Sequence, residues 1–490
     1  MQASNVLVIM SDQHSRRILG CYGNDVVQTP NLDRLAGRGT RFTDAYCNCP
    51  ICVPSRASFA TGRYVHDIRY WDNAHPYDGR VPGWGQRLIE TGHQVVSIGK
   101  LHYRDTGDPV GLSEQILPLN VVDGVGDLQG LLRRQPQSRP GTRVLARDAG
   151  RGESTYTDYD RKITAAACDW LRTEAPKYRS KPWVLFVSLV CPHFPLIAPP
   201  EFFDLYPLDR LPWPKLREPA HAPRHPVLQA LRKVQNFDDH FRDEQHVRTA
   251  VAAYYGLCSF VDHHVGRILE TLEGCGLMGK TRIVYTSDHG DNLGKRGFWN
   301  KSVMYEESAG VPLILAGPDV PAGRVVGDVG SLVDAYPTLI EATGETLTPE
   351  ERRLPGHSWL RIANGDAPSR TVLCEYHAVG SITGTFMIRM GRWKYVYYVG
   401  YPPQLFDLET DPEEANDLGQ SAAHAEVLAA CEAKLRSVVD PEAASELAFR
   451  DQGEKIAKHG GEEAVRRRGH FPYTPAPGEA PSIHGAPPAT

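Results

Sequence analysis

No apolar run in these 490 residues approaches the ~20 needed to cross a bilayer, so a membrane-spanning protein is not expected. Cysteine is sparse. Of ten in all, seven are scattered singly (Cys21, Cys168, Cys191, Cys258, Cys275, Cys374 and Cys431), which excludes a disulfide scaffold and suits reduced thiols in a cytosol. Basic excess is absent as well: the formal net charge is −5, which leaves no footprint for nucleic acid. An anionic substrate would have to be drawn by a local cluster of positive charge, because the global field opposes it. The first five residues lack the basic segment and the small-residue cleavage site of a signal peptide, so a cytoplasmic location is expected. There is no internal repeat, and the glycines between Val122 and Gly130 do not meet dinucleotide spacing and read as a turn.

What the chain does have is ordinary for a globular enzyme, with 41% apolar and 23% charged residues. Its length exceeds what one core holds, so a large domain with a smaller companion is expected. Five short β-branched-rich runs stand out: Val6–Met10, Val95–Ile98, Trp183–Val190, Arg282–Thr286 and Pro312–Ala316. They are apolar nearly throughout and separated by helix-length stretches, the pattern of strands buried on both faces of a mostly parallel sheet. The fold class is therefore α/β, a large sheet sandwiched by helices, over residues 1–370. Residues 371–445 read as a smaller C-terminal α+β subdomain. It contains an antiparallel hairpin from Phe386 to Tyr398 and a helix over roughly 421–439. Residues 446–490 read as an extended tail whose ordering is expected from a neighbouring subunit, hence a homo-oligomer; the last 21 residues hold six prolines. The Pro-rich stretch 201–245 reads as a surface excursion that shapes an entrance.

In parallel sheets ligands bind beyond the carboxyl ends of the strands. Four runs end there in metal-ligand or anion-binding types: Ser11-Asp12-Gln13-His14, Gly99-Lys100-Leu101-His102, Cys191-Pro192-His193 and Ser287-Asp288-His289-Gly290. The sharpest signal is Cys52-Val53-Pro54-Ser55-Arg56 followed by Thr61-Gly62. Pro54 suits the first turn of a helix and Gly62 its C-terminal cap. Cys52 then sits at the helix N-terminus, where backbone N–H groups favour a negatively charged atom, with Arg56 one turn on.

This segment is similar to the Cys-x-Pro-Ser-Arg-x-x-x-x-Thr-Gly signature of the type I, formylglycine-dependent sulfatases of the alkaline-phosphatase superfamily. Ala60 stands where leucine is usual. The resemblance extends through Asp12, Gly99-Lys100-Leu101-His102, Cys191-Pro192-His193-Phe194-Pro195, Ser287-Asp288-His289-Gly290 and the acidic stretch Leu405–Glu414. Tyr70-Trp71-Asp72-Asn73-Ala74 looks most like the choline-sulfatase branch. The resemblance implies hydrolysis of a small-molecule sulfate ester, with Cys52 oxidised to formylglycine by a modifying enzyme. The hydrated aldehyde would supply two hydroxyls on one carbon: one attacks sulfur and expels the alcohol, and loss of the other's proton breaks the sulfated intermediate, releasing sulfate and restoring the aldehyde.

It further implies one divalent metal ion, Ca²⁺ or Mn²⁺, held by Asp12, Asp288, His289 and the modified Cys52, with Gln13 as a further candidate ligand. Gln13 stands where many members carry a second acidic ligand, which weakens the case for Ca²⁺. Arg56, Lys100 and Lys301 would form a positive clamp, with His102 and His193 as proton carriers and Asn73 as a donor to sulfate. His193 or Lys301 would serve the leaving oxygen, and Asp288 is a candidate base.

Three other readings stay open. A phosphonate monoester or phosphodiester hydrolase of the same superfamily also uses formylglycine and a glutamine beside the first aspartate, although Lys100 and His102 favour sulfate. A second is an anion-binding protein that never receives the modification, and a third is a cysteine hydrolase. A zinc site at Cys47, Cys49 and Cys52 lacks a fourth ligand at the required spacing, so Cys47 and Cys49 read as structural. His14 reads as structural too, and Asp262-His263-His264 as a helical pair of histidines without metal.

Overall fold

Strand β1 (Asn5–Asp12) is buried from Val6 onward, which requires both of its faces to be covered. It lies inside an eight-stranded sheet with β2 (Gly39–Phe42), β3 (Val95–Lys100), β4 (Glu114–Leu119), β5 (Val184–Pro192), β6 (Thr281–Ser287), β7 (Leu313–Ala316) and β8 (Arg324–Val326). In the computed structural model, which describes residues 2–366 and 370–485, the strand order is β8-β2-β7-β6-β1-β5-β3-β4. β1 runs parallel to both neighbours, Val8 standing opposite Phe186 on one side and Val284 on the other. Only β7 runs against its neighbours. All five apolar runs are strands of this sheet.

The alternation within β1 sends its side chains into two cores. Val6, Val8 and Met10 pack with Phe59 of α1 (Cys52–Thr61). On the other face Leu7 and Ile9 pack with Ile163 and Leu171 of α2 (Thr155–Thr173) and with Val261 and Ile268 of α3 (Glu244–Gly274). Helix α4 (Ala335–Ala342) completes the first layer through Leu339 and Ile340. Three layers result, the expected α/β sandwich. Among the described residues no helix is long and apolar enough to cross a membrane.

The C-terminal sheet is an antiparallel meander of β9 (Thr371–Tyr376), β10 (Thr385–Met390), β11 (Trp393–Tyr398) and β12 (Tyr401–Asp407). Gly391, at φ 56°, makes the tight turn between β10 and β11, as the hairpin pattern predicts. Helix α5 (Ala425–Arg436) covers one face through Cys431 and Leu435.

Beyond this point the expectation of an extended tail from residue 446 is corrected. The chain is helical in α6 (Pro441–Lys458) and α7 (Gly461–Arg468). Asp440 caps α6 by accepting from the backbone of Ala443, and Pro441 occupies the first turn. Extended chain starts only at Gly469, and it packs on this same chain: His470 accepts from the backbone N–H of Gly141 at 3.0 Å.

The C-terminal sheet is tied to the segment that follows α1 by polar contacts. Glu375 of β9 accepts from the backbone N–H of His66 at 3.0 Å and lies 2.8 Å from its Nδ1. Burial opposes a charged imidazole, yet Glu375 outweighs it and pushes His66 up to about 9. Because the folded value lies above the unfolded value of about 6.5, this contribution is complete below pH ~6.5 and disappears as the pH rises through about 9. A shift of this size is worth at most about 3 kcal/mol. The melting-temperature gap between wild type and His66→Ala is therefore expected to narrow from pH 6 to pH 9.5. A gap that does not move with pH would show that the pair adds nothing.

Candidate active site

The carboxyl ends of β1, β3, β5 and β6 meet the N-terminus of α1. The helix is pinned there by Ser55, whose hydroxyl donates to the carbonyl of Asp288 at 2.6 Å. Ser287 fastens the two central strand ends, donating to the Ser11 carbonyl at 3.0 Å and accepting from the His14 N–H at 2.9 Å. At the end of β3 the register shifts between Ile98 and Lys100. Gly99 makes this possible at φ 101°, where a Cβ would stand 2.3 Å from the carbonyl oxygen of Ser188. Asp160 of α2 accepts from the N–H groups of Val190 and Cys191, both at 2.8 Å, and so holds the turn that delivers His193. Burial pushes the Asp160 carboxyl up to about 7.

Cys52 is 1% exposed. Its Sγ lies 3.2 Å from His289 Nε2, 3.3 Å from Lys301 Nζ and 3.7 Å from Asp12 Oδ1. The ligand atoms of Asp12, Cys52, Asp288 and His289 all fall within 4.8 Å of one another, and all four residues are buried. Two hard carboxylates and one imidazole converging in this way fit a divalent cation such as Ca²⁺ or Mn²⁺. Burial raises the Cys52 thiol most, Asp12 adds to it, and the group is pushed up to about 11. Burial likewise holds His289 down, to about 4.

Positive charge encircles this group. Lys100 Nζ lies 2.6 Å from Asp12 Oδ2. Arg56 places Nε 2.8 Å from Asp288 and Nη2 3.3 Å from Asp12, while its Nη1 donates to the Lys100 carbonyl at 2.7 Å and to Ser188 at 2.9 Å. Burial works to raise the Asp12 carboxyl, but Lys100, His193, Lys301 and Arg56 together hold it well below the usual range. Three cationic side chains thus surround two carboxylates. The balance stays positive before any divalent ion is counted, which suits an anionic substrate.

Of the residues singled out in the sequence, Asp12, Cys52, Arg56, Lys100, Asp288, His289 and Lys301 are brought into this one cluster. Asn73, His102 and His193 line the cavity of about 100 Å³ that opens onto Cys52. Asn73 accepts from the Val53 N–H at 3.2 Å through Oδ1, leaving its amide hydrogens for a substrate. His193 Nδ1 is engaged at 2.6 Å by the Phe194 carbonyl, which leaves Nε2 free for chemistry. Burial, then Lys301, holds His193 well below its ordinary value; burial, then Lys100, does the same to His102.

Gln13 stands at the edge of the cluster. Its Oε1 accepts from Lys301 at 2.7 Å, and its amide donates to Asp291. His14 is structural, bonded to the Tyr285 hydroxyl at 2.6 Å and to the Ile18 carbonyl at 3.1 Å. Asp262 serves the backbone at the start of the helix Pro30–Arg38, accepting from Leu32 at 2.8 Å. The Pro-rich excursion does contribute to the cavity, through Gln235 and Phe237. Sequence reasoning missed Asp291, although it stands three residues past Asp288, and it missed the 470–474 wall, for which no periodic signal exists.

The chain is similar to known proteins over most of its length. The sulfatase family model matches residues 4–345, and the model described as N-sulphoglucosamine sulphohydrolase, C-terminal, matches 294–440. A choline-sulfatase of Rhizobium meliloti (strain 1021) is 32% identical over 85% of this chain and 82% of that protein. Arylsulfatase K of Bos taurus is 31% identical over 89% of this chain and 82% of its own length. The crystal structure of a phosphonate monoester hydrolase of Agrobacterium radiobacter superposes with a TM-score of 0.72 at 25% identity, covering 89% of this chain and 95% of that one.

Arg56→Ala would leave the buried Asp288 without its cationic partner and Asp12 with Lys100 alone, a loss of about 3–5 kcal/mol. Denaturant unfolding of metal-free protein is expected to show a deficit of that order. Wild-type stability in the variant would mean that the carboxylates are satisfied some other way.

Proposed function

Since the chain belongs to the sulfatase family and is a sulfuric ester hydrolase, we propose that it cleaves a small-molecule sulfate ester through a formylglycine derived from Cys52 and one divalent ion. The observation that carries this reading is the position of the Cys52 side chain. It stands at a helix N-terminus among Asp12, Asp288 and His289 on one side and Lys301 on the other. Asp12, Asp288, His289 and residue 52 would hold the ion, which supplies Lewis acidity to the nucleophile and to a sulfate oxygen. The hydrated aldehyde supplies paired hydroxyls, one to accept the sulfuryl group and one to release it.

The remaining roles fall to the chain's own side chains. Lys100, Lys301 and the Asn73 amide bind the sulfate oxygens. Their charges are already in place before reaction, the arrangement in which electrostatic stabilisation is largest. Arg56 holds the two carboxylates in position. Gln13, gripped by Asp291, aims Lys301. His193 presents Nε2 toward the leaving oxygen while its Nδ1 donates to the Phe194 carbonyl, and Lys301 is the candidate donor of the proton that oxygen takes up. Because Cys52 is buried, the modifying enzyme has to act before α1 packs against the sheet.

The likeness to the phosphonate monoester hydrolase favours a second activity on phosphonate or phosphate esters, with the sulfate ester preferred because Lys100 and His102 occupy the pocket.

Mass spectrometry of the tryptic peptide ending at Arg56, from protein isolated from its own cells, is expected to show the aldehyde in place of the thiol. Fully active protein carrying only the thiol would overturn the proposal. Asp288→Ala is expected to lose bound metal and activity together, as read by elemental analysis and an aryl sulfate assay; retention of the metal would remove Asp288 from the ligand set. Lys100→Ala is expected to slow turnover of the sulfate about a hundredfold or more, and an unchanged rate would remove it from the clamp. An aryl phosphonate turned over faster than the matching aryl sulfate by wild type would reverse the order of the two activities.

A further inference from the structure

The residues that follow α7 return across the catalytic cavity as a strap. Its ends are fastened to one another, since the His470 N–H donates to the His484 carbonyl at 2.9 Å and the His484 N–H to the His470 carbonyl at 2.7 Å. Its start is fastened to the body of the enzyme. Gly141 donates to the His470 ring at 3.0 Å, and a Cβ on Gly141 would stand 2.7 Å from that ring nitrogen, so only glycine allows this approach. Its middle is fastened by aromatic and polar contacts. The Tyr473 ring packs edge-on against Tyr156 at 5.4 Å and Phe194 at 5.7 Å, and the Tyr156 hydroxyl donates to the Thr474 carbonyl.

Tyr473 and Thr474 line the same cavity of about 100 Å³ as Cys52, Lys100, His193 and Lys301. Thr474 also reaches a residue of that site: its hydroxyl lies 2.9 Å from His102 Nε2. His102 Nδ1 is buried and has no partner among the described residues, although the ring lines the cavity. A threonine hydroxyl that donates to Nε2 places the ring proton on Nδ1, which makes that nitrogen a donor for a sulfate or ester oxygen. The strap lies beyond residue 440, where the matching family models stop.

We propose that this strap is the specificity-determining wall of the pocket: Tyr473 limits the alcohol half of the sulfate ester to a compact group, and Thr474 positions His102 as a donor toward it. The inference rests on the hydrolase reading above for its substrate class. The floor of the pocket carries the charges that hold the sulfate, whereas the strap and Phe194 add an aromatic wall where the organic group must lie. The expected substrates are therefore monomeric esters with a small organic half; an interior unit of a sulfated polymer would collide with the strap.

Binding and turnover test this separately. Calorimetry on the metal-replete, full-length protein would compare methanesulfonate with 2-naphthalenesulfonate, two anions whose carbon–sulfur bond the site does not hydrolyse. Wild type is expected to favour the compact probe. Tyr473→Ala is expected to shift the ratio of the two dissociation constants toward the bulky probe by about tenfold or more. In steady-state assays with 4-nitrophenyl sulfate, Thr474→Val is expected to lower kcat with little change in KM, and Thr474→Ser to restore it. An unshifted binding ratio in Tyr473→Ala overturns the size filter, and wild-type kcat in Thr474→Val overturns the positioning of His102. Absence of turnover by wild type of both 4-nitrophenyl sulfate and a small alkyl sulfate would sink the hydrolase reading instead, while the binding ratio still decides whether the strap filters by size.

Discussion

Arg56 between Asp12 and Asp288 is the contact on which the rest of the structure depends. The guanidinium side chain is 2% exposed and both carboxylates are fully buried. Any one of these ions buried alone would cost several kcal/mol. They balance only when the ends of β1 and β6 lie side by side and α1 crosses them, so the charge constraint and the sheet topology are the same requirement. Lys100 extends the cluster from β3 by way of Asp12, and the Lys100 carbonyl closes the loop by accepting from Arg56. A single ten-residue helix serves both ends: Phe59 fills the core beneath it, while Cys52 and Arg56 furnish the site above.

The central strands were readable because a strand covered on both faces must be apolar throughout, and five such runs separated by helical lengths admit few other architectures. The site was readable for a related reason. Polar residues that end a buried strand sit at its carboxyl edge, and four strands carried them there. What spacing could not supply was the partner of each side chain. Arg56 follows Cys52 by four residues, which places both on one face of α1, yet its donors go to Asp288, Asp12, Ser188 and the Lys100 carbonyl. Likewise Gln13 occupies a ligand's place beside Asp12, while its amide is held between Asp291 and Lys301.

The C-terminal region was misjudged for a physical reason. Helix α6 is long, but its buried positions are small or polar (Ala444, Ser445, Ala448, Asp451 and Gln452), so no apolar stripe marks it. It is held by polar contacts with distant residues. Asp451 pairs with Arg69 and accepts from the Trp71 indole at 2.8 Å, and Gln452 donates to Asp72 at 2.8 Å. The strap is subtler still. Its attachments include one backbone pair, one glycine-allowed approach, two aromatic edges and the hydrogen bonds of Thr474 to Tyr156 and His102, none of which repeats along the chain.

Floor and wall of the pocket obey different rules. The floor is built on strand ends and a helix N-terminus, where buried charges must cancel and any single loss unbalances the others. Around it the backbone is strained: Gln13, His102, Asn300 and Ser302 all adopt positive φ without being glycine. Residues in such conformations cost on the order of 1–3 kcal/mol each and persist only where their surroundings over-determine them. Here those surroundings are hydrogen bonds to neighbouring elements: Gln13 N–H to Asp288 at 3.1 Å, His102 N–H to the Leu119 carbonyl at 2.8 Å, and Ser302 N–H to the Pro50 carbonyl at 3.0 Å. The wall has no such coupling. Among the described residues the strap is hydrogen-bonded to the floor through Thr474 and His102, and neither belongs to the buried ion cluster. A substitution in the strap other than at Thr474 leaves every buried charge paired, so the alcohol half of the substrate can change without disturbing the chemistry performed on the sulfate.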